Sequence, residues 1–241
     1  MRIGILETDI LQPAIKEKYG SYAEMFQFLF LSVDDHLEFK VYQAIEGEYP
    51  ENMDECEAYL ITGSKSSAYD NEPWIKQLRE YIVALHEHRS KLIGICFGHQ
   101  IIALALGGLT EKSEKGWAVG NSLSKIKKEK LWMGHEMANA KKQFALLVSH
   151  QDQVISLPAK AELIASNAFC PNASFQIANH ILCFQGHPEF SADYLCYLMN
   201  KRRDIIGEEK YKKAMDSLEI DQDALLVARW IVNFIRRSNC L

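Results

Sequence analysis

Two rhythms of apolar residues run along this chain. Short unbroken runs read as strands, and stretches in which Ile, Leu, Met or Phe return every three or four positions read as helices lying on a core. Arg2–Leu6 is of the first kind and predicts a central parallel strand, after which Thr8-Asp9 opens a loop containing Pro13. Ser21 can cap a helix over Ala23–Leu31, whose Met, Phe and Leu residues would face a sheet. Leu37–Gln43 alternates apolar and polar, the pattern of a strand with one face covered. An acidic loop with Pro50 spans Glu46–Glu57, and Ala58–Thr62 predicts the next strand. Pro73 stands where a helix begins, and Trp74–His88 carries Ile75, Leu78, Ile82 and Leu85 on one face. A buried strand over Lys91–Ile95 follows, then a Cys96 turn and the helical spacing of Ile101, Ile102, Leu104 and Leu106.

Beyond Gly107-Gly108 the rhythm changes. The charged stretches Glu111–Lys115 and Lys125–Lys130 read as solvated faces. Trp117–Ile126, Phe144–Val148, Glu162–Ser166, Ser174–Ile177 and Ile181–Gln185 read as strands with no long helix between them, which predicts an antiparallel addition. Ser191–Leu241 returns to helical spacing, its last helix bearing Leu225, Leu226, Val227, Trp230, Ile231 and Phe234 as a stripe. The pattern predicts an α/β fold: a flavodoxin/Rossmann-like, mostly parallel sheet with helices on both faces, an added antiparallel portion and C-terminal helices. The reading is of one domain over 1–241, with 191–241 as a helical extension.

Composition changes this picture only by exclusion. Across 241 residues, 48% are hydrophobic and 24% charged, ordinary usage for a chain with a sizeable core. A net charge of −5 argues against nucleic acid as a partner. No apolar stretch approaches the roughly 18 residues of a membrane span, and acids interrupt the start too early for a signal peptide. A cytoplasmic chain is expected. The six cysteines, Cys56, Cys96, Cys170, Cys183, Cys196 and Cys240, lack tight spacing and read as reduced thiols.

Chemistry concentrates at Lys91-Leu-Ile-Gly-Ile-Cys-Phe-Gly-His-Gln100. A cysteine lifted out at the end of a buried strand, at the start of a helix, meets unpaired N–H groups and a partial positive charge that favour thiolate. Serine uses the same elbow in hydrolases, where the next amide also binds the oxyanion. Gly94 and Gly98 suit such a tight turn. The loop Gly63-Ser-Lys-Ser-Ser67 would lie at the same sheet edge and could bring N–H groups to an anion.

A cysteine nucleophile needs a base, and the base an orienting group. His86 and His88 point in different directions on a helix, and His36 and His180 stand without a motif. His135-Glu136 begins a zinc-protease pattern, but Asn139 occupies the place of its second histidine. His187 differs, because it follows a strand in Phe184-Gln-Gly-His-Pro-Glu189 and so falls at the edge where Cys96 lies. Glu189 could then hold its tautomer.

Gly94-Ile-Cys-Phe-Gly-His-Gln100 with Gln185-Gly-His-Pro-Glu189 resembles the class I glutamine amidotransferases. The resemblance implies a triad of Cys96, His187 and Glu189, with no cofactor and no metal. It further implies oxyanion donors at Gly63, Ser64 and Phe97, and substrate contacts from Ser149, His150, Gln151 and Asp152, from Gln100, and from Gly116 and Trp117. Within the family the likeness is to stand-alone GMP-synthase-like members and γ-glutamyl peptidases, through Tyr19-Gly20 with Tyr22, Gly47-Glu-Tyr-Pro50, Pro73-Trp-Ile75 and His150-Gln-Asp-Gln-Val154. The oxyanion loop reads Gly-Ser-Lys, where members tied to a synthetase read Gly-Gly-Pro or Gly-Pro-Gly.

The activity so implied is hydrolysis of a γ-glutamyl amide through a γ-glutamyl thioester. Glutamine is the first substrate expected, as the glutaminase half of an amidotransferase, and a glutathione-like γ-glutamyl peptide the second. An inactive interaction scaffold is the third reading. Neither a P-loop nor a Ser-Gly-Gly-x-Asp-Ser loop occurs, so any ammonia acceptor would sit on a separate synthetase subunit.

Overall fold

A computed structural model describes residues 1–134 and 142–237. Taken in chain order, the elements begin with β1 (Arg2–Glu7), α1 (Pro13–Tyr19), α2 (Tyr22–Leu31), β2 (Glu38–Gln43) and β3 (Ala58–Ile61). Then come α3 (Pro73–His88), β4 (Lys91–Ile95), α4 (Phe97–Ala105), β5 (Leu109–Lys112), β6 (Ala118–Ile126), β7 (Gln143–His150) and β8 (Asp152–Ser156). The chain continues through β9 (Ala161–Ser166), β10 (Ser174–Ile177), β11 (Ile181–Phe184), α5 (Ala192–Lys201), α6 (Arg203–Ile206), α7 (Glu208–Ser217) and α8 (Ala224–Arg236).

Nine strands form one sheet in the order β2-β1-β3-β4-β11-β10-β9-β6-β7. The run from β2 to β11 is parallel, and each pairing from β11 to β7 is antiparallel. The expected antiparallel addition is thus continuous with the parallel sheet, and β11 joins the two. Strand alternation sends side chains to opposite faces. Ile3, Ile5, Leu60, Ile93, Ile95, Leu182 and Phe184 pack under α2 and α8, whereas Leu6, Tyr59, Ile61, Leu92 and Cys183 pack under α3 and α4. Fully burying each such aliphatic or aromatic side chain is worth about 1.5–3 kcal/mol, so the two covered faces hold the sheet together. A third cluster, with Leu147, Phe190, Tyr194, Leu195 and Met199, seats α5 beside β7.

Three local expectations change. Residues 13–19, read as loop, form α1: Pro13 sits in its first turn, and the helix buries none of its residues, so no apolar stripe marks it. The charged stretch from Glu111 is exposed at Glu111, Lys112, Glu114 and Lys115 as expected, but its start ends an unforeseen strand, β5, which pairs antiparallel with β8 outside the main sheet and buries only Thr110. Leu225 is 48% exposed, and the buried stripe of α8 is carried by Leu226, Val227, Trp230, Ile231 and Phe234. His135, Glu136, Asn139 and Cys240 lie outside the described residues. No helix among the described residues is long and apolar enough to cross a membrane.

Candidate active site

The strand-to-helix elbow at Cys96 is built from close backbone contacts. Cys96 follows β4 and caps α4 with φ +52° and ψ −98°, a conformation that side-chain-bearing residues rarely adopt. Its N–H donates to the Phe184 carbonyl at 2.9 Å, and the Gly98 N–H donates to the Thr62 carbonyl at 3.2 Å. A Cβ on Gly98 would fall 2.3 Å from the Ile61 carbonyl oxygen, and one on Gly94 would fall 2.7 Å from the Gly98 carbonyl. Only glycine at both positions lets α4 lie this close to β3 and β4. Cys96 therefore stands at the carboxyl edge of the parallel strands, with the first amides of α4 unpaired by the helix itself.

β11 brings the imidazole to the same edge. It runs parallel to β4 with Phe184 level with Ile95, and the chain then turns so that the His187 N–H donates to the Leu147 carbonyl at 2.8 Å. The His187 ring stacks on Phe190, centroids 3.8 Å apart, and Nδ1 lies 2.6 Å from Glu189 Oε1. With Nδ1 engaged by Glu189, the other ring nitrogen is the one that can meet the Cys96 side chain. Burial alone would push the imidazole towards its neutral form. The Glu189 carboxylate and the Cys96 sulfur outweigh it, so His187 titrates well above an ordinary histidine and is held as imidazolium.

Gly63 packs against this pair, since a Cβ there would meet His187 Cε1 at 2.8 Å and Cys96 Cβ at 3.7 Å. The loop it opens is tied down from within. Thr8 Oγ1 donates to the Gly63 carbonyl at 3.0 Å, and buried Asp9 accepts from the Lys65 N–H at 3.1 Å and from Lys65 Nζ at 2.9 Å. Ser67 Oγ and, at 3.1 Å, Tyr69 Oη donate to the Asp152 carboxylate.

A cavity of about 170 Å³ opens on Cys96. Of the residues expected in the site, Ser64, Gln100, Trp117, Ser149, His150, Gln151 and Asp152 line it, whereas Gly116 does not and lies 3.5 Å, by its would-be Cβ, from Lys210 Nζ. Phe97 is buried behind the nucleophile. Gln100 Nε2 donates to the Asp152 carbonyl at 2.8 Å and to Gln185 Oε1 at 3.2 Å. Both its amide hydrogens are committed, and Gln100 can only accept from a ligand. His150 is fully buried with Nδ1 2.9 Å from the Asp152 carbonyl; burial lowers its pKa to about 4, and it is neutral at pH 7.

Lys65, Ser66 and Ser67, in the loop expected at this edge, also line the cavity, as does Arg202, which the sequence did not mark. Arg202 follows α5, donates to Ser149 Oγ at 2.8 Å and lies over the Trp117 ring at 5.1 Å. Its place depends on how the C-terminal helices return to the sheet, which no local pattern encodes. Gln185 was visible inside the histidine motif, but its contact with Cys96 was not.

A thiol in a strand-to-helix elbow, an imidazole and a buried carboxylate meeting at the carboxyl edge of an α/β sheet define an arrangement shared by hydrolytic and group-transfer enzymes. Residues 20–194 match the glutamine amidotransferase class-I family, and the chain belongs to it. γ-Glutamyl peptidase 2 of Arabidopsis thaliana is 31% identical over 209 residues, covering 85% of this chain and 83% of that one. A glutamine amidotransferase-like protein of Schizosaccharomyces pombe is 31% identical over 248 residues, covering 97% and 98% of the two chains. The crystal structure of a glutamine amidotransferase from Thermotoga maritima shares the fold with a TM-score of 0.77 over 98% of each chain, at 16% identity.

Proposed function

We propose that this protein hydrolyses γ-glutamyl amides at Cys96 and that γ-glutamyl peptides, rather than free glutamine, are its better substrates. The convergence on Gly63 of Cys96 and a His187 held by Glu189 carries the hydrolytic reading. The thiolate attacks the γ-carbonyl while the Phe97 amide and one from Gly63-Ser64 meet the oxyanion, each donor being worth roughly 3–4 kcal/mol. His187 gives its proton to the departing amine, the γ-glutamyl thioester remains on Cys96, and water deprotonated by His187 releases glutamate.

Two observations put peptides ahead of glutamine. A relative covered over most of its length carries the name γ-glutamyl peptidase. The oxyanion loop is held by Asp9 and Asp152 of this chain, so no partner subunit is needed to shape it. Glutamate release from glutamine, glutathione and γ-glutamyl dipeptides tests the proposal. Release is expected to be faster from the peptides, and Cys96→Ala should abolish all of it. Turnover confined to glutamine would reverse the substrate order, and no turnover of any γ-glutamyl amide would overturn the reading.

A further inference from the structure

Gln185 takes no part in the steps above, yet its buried side chain touches the nucleophile. Its Nε2 lies 3.5 Å from Cys96 Sγ, and its Oε1 accepts from Gln100 Nε2 at 3.2 Å. That same Gln100 nitrogen donates to the Asp152 carbonyl at 2.8 Å, and the Gln185 N–H is anchored on the Ala173 carbonyl at 2.9 Å. The amide is therefore locked in one orientation. Turning it over would set Gln185 Nε2 against Gln100 Nε2, two donors facing each other. We infer that Gln185 is a positioning residue that presents an N–H to the Cys96 sulfur and selectively stabilises its thiolate, with Gln100 holding that amide the right way round. The inference deepens the hydrolytic reading of this site and rests on it for its purpose.

The physical basis is a difference between states. A neutral thiol is a weak acceptor and a thiolate a strong one, so a fixed donor favours the charged form. His187 brings a charged ring to the sulfur's side, and Gln185 supplies a neutral hydrogen bond to it. Two donors also fix the side-chain direction of a cysteine whose backbone conformation is already unusual. In the thioester the sulfur is bonded to the acyl carbon and accepts poorly. When water adds to that carbon, with its proton passing to His187, the carbon–sulfur bond breaks and its electron pair returns to sulfur. The Gln185 N–H then meets thiolate again, so one residue favours both the attacking and the leaving sulfur.

The test reads sulfur directly and needs no substrate. Iodoacetamide alkylation of Cys96, followed on its own peptide by mass spectrometry, is measured against pH for the native chain, Gln185→Met and Gln185→Glu. Loss of one hydrogen bond to a charged group should move the midpoint of the rate profile up by about one pH unit in Gln185→Met. Because a less acidic thiol is a better nucleophile once ionised, the plateau rate at high pH should rise in Gln185→Met while the midpoint moves. Gln185→Glu, which keeps the size but adds like charge, should shift further in the same direction. Profiles that overlay the native one, in variants whose circular dichroism and melting are native, would overturn the inference. A shifted midpoint in a protein that cleaves no γ-glutamyl amide would leave it standing and remove the proposed function instead.

Discussion

Cys96 pays for its exposure to substrate in backbone energy. A β-carbon at φ +52° and ψ −98° costs of order 1–3 kcal/mol, and glycine is the residue that escapes the cost. Cys96→Ala keeps the strain and Cys96→Gly removes it, at the expense of a looser unfolded chain. The glycine variant should be the more stable of the two by about 1 kcal/mol in urea denaturation. A glycine variant that unfolds at lower urea than the alanine variant would show that the elbow is not strained. At this scale the sequence exposed what lies within a few residues of a motif: Cys96 with its glycines, and His187 with Glu189. The hold of Asp9 on Lys65 and the place of Arg202 were not readable, because each depends on a contact made far along the chain. Gly116 was carried into the site by its neighbour Trp117, and its φ of +75° marks a turn beside α7 instead.

Elements were legible wherever burial was periodic. Ile75, Leu78, Ile82 and Leu85 predicted α3 because all four face the sheet, and Ser21 predicted α2 because it forms a capping box with Glu24. Where packing leaves no imprint, pattern failed: α1 buries nothing, and β5 shows alternation at a single residue. The elbow is the element whose geometry is least forgiving. Gly98→Ala would drive a methyl against the Ile61 carbonyl, which lies at the end of β3 and cannot swing aside like a side chain. Overpacking of this kind costs typically 1–3 kcal/mol, and backbone against backbone places it at or above the upper end. The variant is expected to lose at least 3 kcal/mol in urea or to accumulate insoluble, and native stability with native activity would refute the contact.

Across the whole molecule, buried histidines set the response to acid. Burial lowers His99 to about 3 and His150 to about 4, against 6.5 in the unfolded chain. Above pH 6.5 both states leave these rings neutral and their contribution is complete. Below it the unfolded chain binds protons that the folded one refuses, so stability falls until the folded values are reached. His187 has the opposite sign: raised in the fold, its contribution is complete below 6.5 and is lost only as pH rises through its folded value, so it does not offset the decline. Burial lowers His180 to about 4 in the same way, and each of these three histidines removes up to about 1.4 kcal/mol per pH unit. The urea midpoint should drop steadily from about pH 6.5 to about pH 5, and a flat midpoint over that interval would contradict the burial of these rings.

β11 is both the last strand in the chain and an interior strand of the sheet, with β4 on one side and β10 on the other. Long-range pairings of this kind close late, after the entropy of the intervening loop has been met. On a ribosome, the residues that shape the Cys96 elbow from Ile61 to Gly98 have emerged long before the segment that carries His187. A nascent or half-folded chain thus holds a cysteine with no imidazole beside it, and the insertion that finishes the sheet is also the event that brings the ring to the sulfur.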